Sequence, residues 1–331
     1  MALRVAVIGA GTWGTTIAAV AAAEHPTVLW ARRKEVADEI TTVGANATYL
    51  PGVSLPPSLA ATPSLEDALA GADVVVMAVP SHGFRAVLED AAPFVPPSVP
   101  IVSLTKGLEP GTHRRMSEVV AEVVPGHPTG VLTGPNLAGE IAAGQPAGAV
   151  LAFADEAVAS HLRSVFTAPA LRVYTNTDVV GCEIAGVVKN VIAIAAGMVE
   201  GMGFGDNTKA TIITRGLAEL TRLGSALGGE AATFAGLAGL GDLVATCASA
   251  QSRNHRVGVE LGRGRSLDAI LAGTPTVAEG VRSSSAVVEL AAANGVQVPI
   301  AEQVDAVCHR GATLDEARQA LLQRRAGSER T

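Results

Sequence analysis

Four apolar residues, Val5-Ala6-Val7-Ile8, run straight into Gly9-Ala10-Gly11-Thr12-Trp13-Gly14 and then into an alanine-rich segment, 15–23. A strand that turns on glycine into a helix admits few folds. Gly9 permits the tight turn, Gly11 lets main chain approach a pyrophosphate with no Cβ in the way, and Gly14 allows close helix–strand contact. The helix N-terminus behind them offers unpaired N–H groups and a partial positive charge to phosphate. A glycine turn alone also opens helices for purely structural reasons, but the strand before it and the helix after it favour dinucleotide binding.

The next strand, 27–30, ends about where an NAD-binding domain places an acidic residue on the ribose 2′-hydroxyl, ~20 residues past the glycines. This chain reads Ala31-Arg32-Arg33-Lys34 instead, with no carboxylate before Glu35. Two guanidinium groups match a 2′-phosphate through bidentate, charge-assisted hydrogen bonds, so NADP(H) is favoured and NAD(H) stays open. The plainer alternative is a solvated basic turn that begins a surface helix.

Length and composition set the frame for that motif. A chain of 331 residues, 48% hydrophobic and 17% charged, has room for two packed domains. A net charge of −7, with no basic stripe interleaved with aromatics, argues against a nucleic-acid partner and points to a small molecule. Cys182, Cys247 and Cys308 are odd in number, far apart and without CxxC spacing, which suggests no disulfide framework, no metal site and a reducing cytoplasm. Glycines and threonines at 9–16 break any signal-peptide pattern. The most apolar later stretch, 184–199, carries Lys189 and Asn190 at its centre and reads as too short and too polar for a membrane span.

The run 73–79, β-branched and stopped by Pro80, reads as a strand buried on both faces of a parallel sheet. Ligands of such sheets lie beyond the strands' carboxyl ends, which puts Pro80-Ser81-His82 near the cofactor. Further strands are predicted at 100–104, 130–133, 148–153 and 171–174, with helices at 112–123 and 156–166. Beyond about Thr177 strand patterns give way to helical ones at 182–200, 208–227, 257–261, 283–293 and 300–308. The fold class is therefore α/β: an N-terminal doubly wound Rossmann-type domain, 1–178, followed by an all-helical C-terminal domain, 179–331.

Candidate chemistry clusters in four places. Lys189, flanked by Ala185, Gly186, Val187, Val188, Val191, Ile192 and Ile194, has almost no exposed face, and burial of an amine disfavours its charged form and readies it for proton exchange. Its plain alternatives are a side chain that reaches the surface or pairs with Glu183. Lys106 follows a sheet strand and can reach the same crevice, or is an ordinary loop lysine. Asp242, in Gly239-Leu240-Gly241-Asp242, can accept hydrogen bonds from a small polyol, or merely cap a helix. Ser252-Arg253-Asn254 heads a helix and makes a plausible phosphate cradle. His82 and His255 lack metal-ligand spacing.

The chain resembles the bacterial NAD(P)-dependent glycerol-3-phosphate dehydrogenases over nearly all its length. The resemblance is carried by the glycine loop, Val79-Pro80-Ser81-His82, Thr105-Lys106-Gly107-Leu108-Glu109, Gly134-Pro135-Asn136 and Val187-Val188-Lys189-Asn190-Val191-Ile192-Ala193-Ile194. Gly203-Phe204-Gly205-Asp206-Asn207, Gly239-Leu240-Gly241-Asp242-Leu243, Gln251-Ser252-Arg253-Asn254 and Val277-Ala278-Glu279-Gly280 complete it. It implies reversible hydride transfer between NAD(P)H and dihydroxyacetone phosphate, giving sn-glycerol 3-phosphate for phospholipid synthesis. Lys189 is then the proton donor and acceptor. Lys106, Gly134, Asn136, Asp242, Ser252, Arg253 and Asn254 hold the substrate with it. Gly9, Gly11, Thr12, Trp13, Gly14, Arg32, Arg33, Tyr49, Lys106, Ala138, Arg253, Val277 and Glu279 contact the cofactor, with Tyr49 and Lys106 the weaker members. The implied protein has no metal, is cytoplasmic and leaves a homodimer open. Asn136, where family members often carry serine or threonine, and Gly139, where a basic residue is common, depart from the pattern. The alternatives are another Rossmann-plus-helical hydroxyacid dehydrogenase and a non-catalytic NADPH-binding sensor.

Overall fold

The computed structural model describes residues 2–272 and 278–324. It divides into two units, one up to Glu183 and one from Ile184. In the first, strands β1 (Val5–Ile8), β2 (Thr27–Trp30), β3 (Leu59–Thr62), β4 (Val74–Met77), β5 (Ile101–Ser103), β6 (Thr129–Thr133), β7 (Ala147–Phe153) and β8 (Leu171–Asn176) form one sheet in the order β3-β2-β1-β4-β5-β6-β7-β8. The order reverses between β1 and β4, the switch point at which open α/β sheets bind ligands.

Side chains alternate across the sheet as its period of two demands. Val5 and Val7 join Ile17, Val74, Val76 and Leu132 in one core, while Ala6 and Ile8 join Val75, Met77, Phe84 and Met116 in the other. Helices cover both faces, so β1 and β4 are buried at every residue.

Three features differ from the sequence expectations. The sheet is not wholly parallel: β6 and β7 pair antiparallel, with Val131 opposite Ala152 and Leu132 opposite Leu151, while β8 runs parallel to β7. An antiparallel partner needs no right-handed crossover, and the connection from Gly134 carries only the short helix Ala138–Ala142. Strand β3, Leu-Ala-Ala-Thr at the sheet edge, lacks the β-branched run that revealed the others. The helix expected at 112–123 begins at Met116, where the Glu118 carboxylate reaches back to accept the Arg115 N–H at 2.8 Å.

The second unit is helical. Its first element, Val179–Gly201, enters from the first unit and runs for 23 residues, which is long and apolar enough to cross a membrane by length and composition. The expectation that this stretch is too short is therefore corrected. Its most apolar window is 89% buried within the protein, the condition of a core helix. Helices Asp206–Ala226, Asp242–Ala248, Arg253–Gly262 and Glu279–Ala293 contact it through Gly216, Asp242, Gly258 and Gly280, and Pro299–His309 packs on Glu279–Ala293.

Candidate active site

The glycine loop has the geometry a pyrophosphate needs. Gly9 sits at φ +119°, and a Cβ there would lie 2.6 Å from the carbonyl oxygen of Ala78, while one at Gly14 would lie 2.0 Å from that of Gly9. At Gly11 a Cβ would meet nothing within 4 Å, so the main chain here fronts open space. Gly11 is also the N-cap of the helix Thr12–Ala21 and provides no side-chain cap, leaving the first-turn N–H groups available to an anion. These observations fit a dinucleotide.

A residue the sequence reading missed holds the loop in shape. Asn46, fully buried, donates its amide to the carbonyl of Ala10 at 3.0 Å and to the hydroxyl of Thr15 at 2.8 Å, and accepts from the N–H of Tyr49 at 3.3 Å. Thr12 donates in turn to the carbonyl of Tyr49 at 2.8 Å. The Tyr49 ring carries the guanidinium of Arg33 5.4 Å from its centre, a cation–π contact beyond the end of β2. Arg32 and Arg33 are both exposed, and the following lysine pairs with Asp38 at 2.6 Å. Trp13 keeps its indole N–H buried without a hydrogen-bond partner. Ala138 opens the short helix after Asn136, and Val277 lies outside the described residues.

Also in the first unit, Lys106 donates to the carbonyl of Gly134 at 2.9 Å, so two expected substrate residues meet directly. The amide of Asn136 has both polar atoms buried and no hydrogen-bond partner among the described residues. An unpaired buried amide is costly, so a group supplied by a ligand is the natural partner. Glu183 does not pair with Lys189. It accepts from the Arg115 guanidinium and the Ser117 N–H at 2.9 Å each, and burial raises its carboxyl above the usual range.

In the second unit the Lys189 amine is 5% exposed and donates to Asp242 at 2.6 Å and to the Thr246 hydroxyl at 2.7 Å. The counter-charge weighed for this amine from the sequence was Glu183, which is engaged elsewhere. The structure supplies another. Asp242, expected to await a polyol, stands at the first turn of Asp242–Ala248 with its carboxylate turned to Lys189 rather than capping the helix. A π-helical turn, Leu237–Gly241, delivers it there: the N–H of Gly241 reaches the carbonyl of Gly236 at 3.1 Å, and Gly239 packs where any Cβ would strike Phe234 main chain. Thr246 returns its own proton to the Asp242 carbonyl at 2.6 Å.

The expected phosphate cradle is only partly open to a ligand. Ser252 caps Arg253–Gly262 by accepting from the His255 N–H. Asn254 donates to Asn190 at 2.8 Å and accepts from the Gly280 N–H at 2.9 Å, which ties the neighbours of Lys189, Arg253 and Glu279 together. Arg253 is exposed on the first turn and lines a cavity of about 470 Å³ with His255, Arg256, Arg263 and Arg265; Lys189 is not part of that lining. His255 is buried 3.3 Å from Glu200, and burial pushes its pKa down.

Residues 4–159 match the family described as NAD-dependent glycerol-3-phosphate dehydrogenase N-terminus, and residues 178–319 match its C-terminus. A glycerol-3-phosphate dehydrogenase [NAD(P)+] of Sphingopyxis alaskensis is 54% identical over 329 residues, 99% of each chain. One of Mycobacterium avium is 50% identical over 98% of this chain and 96% of its own. The chain belongs to the glycerol-3-phosphate dehydrogenase family. The crystal structure of the family member from Coxiella burnetii superposes with a TM-score of 0.93 at 37% identity, covering 98% of this chain and 99% of that one. For a glycerol-3-phosphate dehydrogenase family member, Asn46 and Thr246 are the residues sequence reasoning overlooked. The ordered spacing Asn46-Ala47-Thr48-Tyr49, next to the named Tyr49, was the one available signal for Asn46.

Proposed function

We propose that this oxidoreductase reduces dihydroxyacetone phosphate to sn-glycerol 3-phosphate for phospholipid synthesis in the cytoplasm, preferring NADPH over NADH. The observation that carries the reading is the buried Lys189 ammonium, held between the Asp242 carboxylate and the Thr246 hydroxyl.

Bound dihydronicotinamide supplies the hydride that reduces C2. As the C2 carbonyl π pair moves onto oxygen, Lys189 transfers a proton from Nζ to that oxygen and completes the alcohol. Asp242 and Thr246 keep Nζ at a fixed place and offset the cost of burying its charge. In the reverse direction the neutral amine accepts the proton. Arginine would hold its proton too tightly to replace it. Lys106, Gly134, Asn136, Ser252, Arg253 and Asn254 are the residues assigned to the substrate's hydroxyl and phosphate groups. Gly9, Gly11 and Gly14 with Thr12 and Trp13 take the pyrophosphate. Arg32 and Arg33 take the 2′-phosphate, and Tyr49, Lys106, Ala138, Arg253, Val277 and Glu279 complete the cofactor set. A homodimer is part of the same reading.

Purified protein should oxidise NADPH, and NADH less efficiently, only when dihydroxyacetone phosphate is added, with glycerol 3-phosphate as product. Absence of substrate-dependent oxidation with both cofactors would remove the assignment.

A further inference from the structure

Between β5 and the helix Met116–Val123 the chain has no regular ladder, yet it carries Lys106. Backbone contacts fix only its ends: Leu104 N–H reaches the Met77 carbonyl, and Glu109 closes a turn by donating its N–H to Arg114 at 2.9 Å and accepting that of His113 at 3.0 Å. The Thr105 hydroxyl donates to the Val79 carbonyl at 2.6 Å just before Lys106, and the Glu109 side chain anchors the stretch just after it. Glu109 is 8% exposed and accepts the Arg85 guanidinium through both oxygens, Nε at 2.6 Å and Nη2 at 3.0 Å, with the Thr112 hydroxyl at 2.5 Å. Arg85 itself stands on the helix Ser81–Ala91 and is steadied by Glu122 at 2.8 Å, which also pairs with Arg114.

We propose that the Arg85–Glu109 fork is a positioning pair that aims Lys106 at the substrate, a role that rests on the reading of Lys106 as a substrate ligand. A bidentate guanidinium–carboxylate pair fixes direction as well as distance. Glu109 lies three residues after Lys106, so fixing its carboxylate holds the main chain on the C-terminal side of Lys106. The ammonium must reach a small anion from a loop that no strand or helix holds straight. Arg85 and Glu109 touch no reacting atom and act through Lys106.

The test is a double-mutant cycle on the full-length protein with saturating NADPH, reading kcat and KM for dihydroxyacetone phosphate. Glu109→Gln, which keeps the shape and removes the charge, should raise that KM roughly tenfold while the KM for NADPH stays unchanged. Lys106→Ala should raise it as well. In the Lys106→Ala background, Glu109→Gln should add less than about twofold, because the residue it serves is gone. An equal factor in both backgrounds would overturn the proposal. An unchanged KM in Lys106→Ala would instead overturn the reading of Lys106, a separate outcome. Should Glu109→Gln fail to fold, Arg85→Lys completes the same cycle: it keeps the charge and loses the fork, and should again raise KM only when Lys106 is present.

Discussion

At the scale of single residues, two groups near the dinucleotide loop have separable effects. Arg32 and Arg33 are exposed at the end of β2, and Arg33 lies over Tyr49, so replacing both with alanine removes charge from one end of the cofactor only. Arg32→Ala with Arg33→Ala should weaken NADPH by about tenfold or more and leave NADH within about twofold, measured as KM for each. Equal losses would contradict a 2′-phosphate role. Asn46 instead shapes the glycine loop, to which the proposed function assigns the pyrophosphate common to both cofactors. Asn46→Ala leaves the Ala10 carbonyl and Thr15 hydroxyl short of a donor, and should raise the KM of NADPH and NADH alike by roughly tenfold. A selective loss for one cofactor would show that Asn46 acts elsewhere. The glycines and arginines were legible because their positions follow from a short strand–turn–helix sequence. Asn46 was not, since its partners stand more than thirty residues earlier in the chain and no local periodicity marks them.

At the scale of elements, two contacts explain how the helical unit holds its chemistry. Gly197 and Gly201 on the Lys189 helix meet Gly258 and Gly262 on the Arg253 helix: a Cβ at Gly258 would lie 2.1 Å from the Ile194 carbonyl, and one at Gly197 would lie 2.1 Å from that of His255. The obstacles are main chain, so no rotamer change relieves them. Gly258→Ala should cost about 1–3 kcal/mol in chemical denaturation and lower kcat by spreading Asn190 from Asn254. A neutral effect would mean that the helices slide freely. The helices were predicted from their spacing of apolar residues, but the contact was not, because glycine at every fourth position also marks weak helix interiors.

Glu219 shows a second kind of contact. Buried on Asp206–Ala226, it accepts the N–H groups of Ile300 at 2.8 Å and Ala301 at 3.3 Å at the start of Pro299–His309. Burial raises its pKa from 4.5 to about 7, so the folded state binds the proton more tightly than the unfolded chain. Its contribution to stability is full below about pH 4.5 and is lost as pH rises to about 7. Glu219→Gln, always neutral, should flatten that part of the pH–stability curve, as read by thermal unfolding across the window. An unchanged slope would place the titration elsewhere.

At the scale of the whole molecule, a chain of net charge −7 is read as gripping an anionic cofactor and an anionic substrate, and the cations proposed for that task are few and set mainly in turns and first turns of helices. Composition told of a packed protein, and alternating strand and helix patterns gave the α/β class and located most of the sheet. The antiparallel β6–β7 pair escaped because a fully buried strand reads the same in either direction, and β3 escaped because its alanines carry little strand signal. For the site, Lys189 was legible as a charged residue in an apolar helix. Its partners Asp242 and Thr246 lie more than fifty residues on, and the pairing depends on a π turn that no residue pattern announced. The most direct measurement compares wild type with Lys189→Ala, following NADPH binding by equilibrium titration and its oxidation by dihydroxyacetone phosphate in a single turnover. The account predicts unchanged NADPH affinity and turnover slowed by about a hundredfold or more. Turnover at the wild-type rate in Lys189→Ala would contradict it.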